Sequence, residues 1–174
     1  MRLATALTEC VLRPWAAADK ASLVANANNH RVWRNLADIF PYPYTEADAD
    51  EWIRIANAPS RNITFAIEFD GVAVGGVGAR AGEGIFVRTA QFGYWLGEPY
   101  WGRGIMTAAA GALLEHLRQD GRFARLEAPV FEWNPASMRV LDKLGFVREA
   151  VKRDSVTKDG HLIDSVLYSY LFKR

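Results

Sequence analysis

Cysteine is almost missing from this chain of 174 residues. Cys10 stands alone, so no intramolecular disulfide can form. That fits a reducing cytosol, and a lone cysteine beside a strand reads as a small buried hydrophobe. A chain of this length buries a full core without bridges or metal, and no metal is expected. Neither sign of charge dominates: 21 Lys and Arg face 20 Asp and Glu, which leaves no global field to favour nucleic acid or a membrane. The first ten residues lack the apolar run of a signal peptide, and no later segment approaches a membrane span. The expected location is the cytoplasm. Internal repeats, low-complexity tracts and linkers are missing too, so residues 1–174 are expected to form a single domain.

What the chain does have is apolar patterning and aromatic residues. Half of it is hydrophobic, with six Trp, six Tyr and nine Phe, most of them read as core. Residues 10–14 read as a short strand, and 16–28 and 30–38 as helices. The run Phe40-Pro41-Tyr42-Pro43-Tyr44 must be loop, because two prolines forbid helix and ladder. Thr45 and Asp48 mark a capped helix that ends near Pro59. The period then changes to two: Ile63, Phe65, Ile67 and Phe69 alternate with smaller or polar residues. Asp70-Gly71 is a tight-turn signal, and 72–79 returns as the second arm of a hairpin. A strand at 89–96, a helix at 105–119, a strand at 123–133 and a helix at 135–144 follow. The chain closes with strands at 146–153 and 161–172 around Lys158-Asp159-Gly160. This order predicts an α/β (α+β) domain with a mixed, mostly antiparallel sheet of about seven strands and helices on both faces.

The most informative segment runs from Tyr94 to Thr107. A strand ends at Gly97, a short loop carries Gly102 and Gly104, and a helix begins at once. The free N–H groups of a helix's first turn carry partial positive charge, and glycines let phosphates approach that backbone. Arg103 adds a full charge, so a pyrophosphate is the expected guest. The lysine of a Walker loop is missing, and Thr107 stands where a dinucleotide fingerprint needs its third glycine. Further on, Asn134 is a good N-cap, Pro135 suits the first helical position and Gly145 suits the position after a helix.

The pair Trp101-Gly-Arg-Gly-Ile-Met-Thr107 and Asn134-Pro-Ala-Ser137, with Leu144-Gly145-Phe146, resembles the GNAT superfamily of N-acetyltransferases. Within it the chain is similar to the RimJ/RimL branch, which acetylates protein N-termini. The resemblance implies that acetyl-CoA binds here as co-substrate. Its pyrophosphate would sit on Gly102, Arg103, Gly104, Ile105, Met106 and Thr107. Its pantetheine arm would run between splayed fourth and fifth strands, along Trp95, Leu96 and Gly97, and would meet Asn134. Pro129 fits this independently, since it cannot donate to a ladder.

Where many relatives place a tyrosine to protonate the departing thiolate, this chain has Leu141. The resemblance offers Ser137 instead as the acid. Attack needs a neutral amine, and Glu132 is the leading candidate base, ahead of Glu98, Glu127 and a water relay. Gln91 stands roughly where some relatives have a glutamate. Backbone N–H near Leu96 would serve the developing oxyanion. Trp33, Phe40, Tyr42 and Tyr44 are expected to wall the acceptor site.

The expected reaction is acetyl transfer to a primary amine, foremost a protein or peptide N-terminus, by direct attack in a ternary complex. A small amine such as a polyamine, amino acid or aminoglycoside is the alternative acceptor. The acidic run Glu46, Asp48, Asp50 and Glu51 would suit a polycation. A non-catalytic acetyl-CoA-binding module is the third possibility. No nucleic-acid or membrane partner is expected, and the chain would act as a monomer or homodimer.

Overall fold

The computed structural model describes residues 1–173. Eight strands form one sheet in the order β1-β2-β3-β4-β5-β6-β8-β7. They are β1 (Leu3–Ala4), β2 (Cys10–Arg13), β3 (Ile63–Phe69), β4 (Val72–Ala81), β5 (Thr89–Leu96), β6 (Arg125–Phe131), β7 (Val147–Lys158) and β8 (His161–Leu171). The helices are α1 (Lys20–Ala27), α2 (His30–Trp33), α3 (Glu46–Asn57), α4 (Ile105–Asp120) and α5 (Pro135–Lys143). Every neighbouring pair is antiparallel except β5 and β6. The expected mixed sheet is present, and the short edge strand β1 raises its strand count to eight.

Alternation along β3 sorts side chains to two cores. Phe65, Ile67 and Phe69 join Leu12, Phe92 and Leu126 beneath α4. Ala66 faces the other way, toward Trp15, Leu23, Ala27, Tyr44 and Ala49 under α1 and α3. The stripe of α4 consists of Ile105, Ala109, Leu113 and Leu117, all buried and spaced by one helical turn. Thr45 caps α3 in a reciprocal box: its hydroxyl accepts from the Asp48 N–H, and the Asp48 carboxylate accepts from the Thr45 N–H at 2.8 Å. No helix among the described residues is long and apolar enough to cross a membrane.

Two segments depart from the sequence expectation. The helix predicted over 30–38 stops at Trp33, and the chain continues to Phe40 in turns. Trp33 and Arg34 are both engaged by other elements there, Trp33 under the Lys158 ammonium and Arg34 over the Trp133 ring. The strand predicted to end at Arg153 runs on to Lys158. It is an edge strand exposed almost throughout, so no buried face imposes the period of two that would have marked its length.

Candidate active site

Strands β5 and β6 begin as a parallel pair and then part. Thr89, Ala90 and Gln91 register with Arg125, Leu126 and Glu127, and no pairing follows. Beyond that point β6 is held only by β8, as far as Phe131 opposite Ser165. Glu132 donates its N–H to Asp164 O on the β8 side. Alternation therefore turns the backbone of residues 127, 129 and 131 toward β5. Pro129 puts its donorless nitrogen on that side, so the missing ladder bond falls where the strands separate. On the facing strand Gly97 donates to Val74 O of β4, so Leu96 and Tyr94 turn their backbone N–H groups into the gap. The expected splay is present, between the strands that the sequence placed fourth and fifth.

The gap opens into a cleft of about 460 Å³. Its lining takes side chains from both faces of the sheet, Phe92, Tyr94 and Leu96 on the α4 side and Trp95 on the other. One mouth is formed by the loop before α4 and the first turns of α5; the other by Asn35, Leu36, Ala37, Gln91 and Phe131. At the first mouth Gly102 and Gly104 both have left-handed backbones, with φ of +74° and +76°. An added Cβ would meet nothing within 4 Å at either position. These glycines are therefore needed for their conformation, and the space above them is open. Gly104 caps α4 without any side-chain bond, and the first internal bond runs from Ala108 N–H to Gly104 O at 3.0 Å. The N–H groups of Ile105, Met106 and Thr107 are left for an anion. Arg103 lies over the Phe69 ring at 4.6 Å. Arg139 and Lys143 also line this mouth, and their sequence context as ordinary residues of a short helix carried no signal of it. A diphosphate-bearing ligand with an extended arm fits these features: anion donors at the mouth and unpaired strand backbone within.

Ser137 lies in the first turn of α5. Its N–H donates to the Asn134 side chain at 3.1 Å, so Asn134 is the helix cap as well as a cleft residue. Its hydroxyl lies 2.9 Å from the Tyr94 phenol, which also donates to Ser137 O at 3.1 Å. Burial pushes the Tyr94 phenol up to about 12, so it stays protonated. The sequence reading missed Tyr94. Its only signal was a tyrosine on the β5 face that points toward α5.

Trp95, Leu96, Gly102, Arg103, Gly104, Ile105, Met106, Thr107, Asn134 and Ser137 all line the cleft. Gly97 does not, and its N–H goes to Val74 O of β4. Glu132 does not either: it points toward β8 and its carboxylate accepts the Asp164 N–H at 3.0 Å. The other carboxylates considered as bases are engaged elsewhere, Glu98 by Asn29 and Arg31 and Glu127 by Arg125 at 2.8 Å. Among the described residues no Asp, Glu or His lines the cleft. Leu141 is wholly buried in the core under α4.

The four aromatics expected at the acceptor site stand outside the cleft lining. Tyr44 is core, and Phe40 packs between Tyr44 and Trp95 at 5.0 and 5.5 Å. Trp33 and Tyr42 stack at 5.5 Å, and the Trp33 ring receives Lys158 from the β7–β8 hairpin. They dock that hairpin, while the segment just after Trp33 supplies Asn35, Leu36 and Ala37 to the lining. Three of the four acids in the acidic run are also occupied: Asp48 in the cap, Asp50 with Lys20 at 2.8 Å, and Glu51 with Arg54 at 2.6 Å.

The chain belongs to the GNAT acetyltransferases: the Acetyltransferase (GNAT) domain matches residues 10–147. Among named relatives, it is 38% identical over 74 residues to the "Probable N-acetyltransferase YjcK" of Bacillus subtilis, covering 42% of this chain and 41% of that one. It is 33% identical over 82 residues to the ribosomal-protein-serine acetyltransferase of Escherichia coli, covering 47% of this chain and 46% of that one. The matched stretches thus span less than half the length of either relative. The solved structure of Mycobacterium smegmatis RimJ in complex with CoA-disulfide matches with a TM-score of 0.79 at 26% identity, over 98% of this chain and 87% of that one.

Proposed function

We propose that residues 1–174 act as one domain in the cytoplasm that transfers the acetyl group of acetyl-CoA to a primary amine, foremost the N-terminal α-amine of a protein or peptide. The observation that carries this is the cleft at the split between β5 and β6, with anion donors at one end and free strand backbone along it. The E. coli relative named as a ribosomal-protein-serine acetyltransferase supports a protein acceptor.

Bound acetyl-CoA supplies an activated acetyl thioester. The N–H groups of Ile105, Met106 and Thr107 hold its pyrophosphate, and Arg103, Arg139 and Lys143 add charge around it. The turned-in backbone of β5 and β6 orients the arm. The Leu96 N–H, directed into the gap, donates to the thioester oxygen. The Ser137 hydroxyl, held by the Tyr94 phenol 2.9 Å away, gives a proton to the leaving sulfur, and the proton that the amine releases to water restores the hydroxyl. A thiol's ordinary pKa of about 8.5 makes this a modest task. With no carboxylate or histidine in the lining, the amine loses its proton to water that reaches the far mouth.

A thermal-shift titration with acetyl-CoA tests the first half, with ATP and NAD as controls. At one hundred times the dissociation constant, one-site binding adds about 2.7 kcal/mol of stability. A shift for acetyl-CoA alone, followed by turnover on peptides, is the expected result. Binding without turnover on any peptide or small amine would leave a non-catalytic binding module.

A further inference from the structure

Next to the residues that line the far end of the cleft lies a cation with no ion pair among the described residues. Arg34 follows the short helix α2, and its guanidinium lies over the Trp133 ring at 4.4 Å. Arg34 is followed by the cleft residue Asn35, and Trp133 sits between the cleft residues Phe131 and Asn134. Among the described residues Arg34 has no ion pair. Its Nε is buried without a hydrogen-bond partner, and so is the indole Nε1 of Trp133.

Orphaned buried donors are uncommon, and each loses about 1–3 kcal/mol of hydration that something normally restores. Trp15, Trp52 and the Thr64 hydroxyl are also without partners, and the two indoles meet edge to face at 6.3 Å. Arg34 and Trp133 are half-buried as residues and flank the cleft lining, and one of them is charged. The nearby acids are already engaged. Asp38 holds Lys158, Asp159 lies 3.0 Å from His30, and Glu132 faces the β8 backbone. The cleft itself contributes only Arg103, Arg139 and Lys143 as charges. A polycationic amine would find no acid here.

We propose that Arg34, backed by Trp133, receives a carboxylate carried by the amine acceptor, so that the acceptors of this chain are acidic close to the amine that is acetylated. The inference rests on the acetyl-transfer reading above. Two sources supply this chemistry: an acidic side chain next to the N-terminus of a peptide, or the carboxylate of a free amino acid. A charge-assisted bond to a partly buried guanidinium corresponds to a preference of about tenfold or more.

The test compares isosteric acceptors: the tripeptide Ala-Asp-Ala amide against Ala-Asn-Ala amide, and free alanine against alaninamide. The wild-type chain is expected to favour an acid over its amide about tenfold in kcat/KM, mainly through KM. The pair that shows the preference identifies the source. Arg34→Gln is expected to bring the acid-to-amide ratio within about twofold while kcat for the amide is kept. Trp133→Phe, which keeps a ring under the guanidinium and removes one donor, should fall between. If Arg34→Gln fails to fold, the wild-type ratio and Arg34→Lys decide. Equal kcat/KM for acid and amide in the wild type overturns the inference and leaves the acetyl-transfer reading standing. If acetyl-CoA binds but no acceptor turns over, that reading fails; the same pairs titrated into the CoA complex by calorimetry then decide this one, where equal or absent binding overturns it.

Discussion

Substitution of Gly104 by alanine separates what a left-handed backbone does for stability from what it does for the ligand. Gly104 has φ of +76° and caps α4, and an added Cβ would meet no atom within 4 Å. The stability loss therefore comes from backbone alone, about 1–2 kcal/mol for a residue with a Cβ in the left-handed region. In a domain of this size that lowers Tm by roughly 2–8 °C. Gly121 is a built-in control. It closes the other end of α4 with φ of +69°, and its Cβ would also meet nothing within 4 Å. Gly121→Ala should lose a similar amount of stability. The two differ at the ligand, because only the Gly104 Cβ enters the space where phosphate would lie. Interaction with a helix N-terminus is worth up to about 2 kcal/mol. Gly104→Ala should therefore weaken acetyl-CoA binding at least tenfold, about 1.4 kcal/mol, while Gly121→Ala leaves Kd unchanged. Calorimetric titration and thermal melts of both variants make the comparison. Equal Kd values in the two would refute the assignment of this helix terminus to the pyrophosphate.

Ser137→Ala should lower kcat about a hundredfold with acetyl-CoA affinity intact, because the bond that caps α5 uses the backbone N–H of Ser137. Tyr94→Phe should give a smaller drop in kcat, and steady-state kinetics of the two variants would show whether they act together. With no carboxylate or histidine in the lining, kcat/KM should rise with pH along the acceptor's own amine, near about 8 for an α-amine and about 10.4 for a lysine side chain. A break that stayed near neutrality for every acceptor would reveal a protein base, and Glu132→Gln should change kcat/KM by no more than about twofold. Burial pushes the Tyr44 and Tyr94 phenols up to about 12, so between pH 10 and 12 the folded chain holds more protons than the unfolded one. Stability from these groups is complete below about pH 10 and is lost as pH rises through about 12, a trend that urea midpoints should show and Tyr44→Phe should reduce.

Much of the site is legible in the sequence because it is local. Gly102 and Gly104 take left-handed conformations that few other residues adopt, and Asn134-Pro135 starts a helix by its own cap and fixed φ. The period of two in β3 and the helical stripe of α4 likewise follow from burial of one face. Pro129 marks the split because its missing donor is a property of one residue.

What only the tertiary structure decided is which side chains meet across long separations. Tyr94 reaches Ser137 because β5 and α5 close on each other, and Arg34 reaches Trp133 because α2 packs beside the end of β6. Neither pair shares a local pattern. Glu132 is one residue from the cleft residue Phe131, yet its carboxylate is taken up by the Asp164 N–H of β8. The aromatics of the Phe40–Tyr44 loop carry no record of direction; Tyr44 is drawn into the core and Tyr42 to the hairpin, and Asn35, Leu36 and Ala37 are left at the mouth. Composition and period determine how each segment folds along its own length. The contents of a cleft between segments depend on the register in which they are joined, and register is a property of the whole sheet.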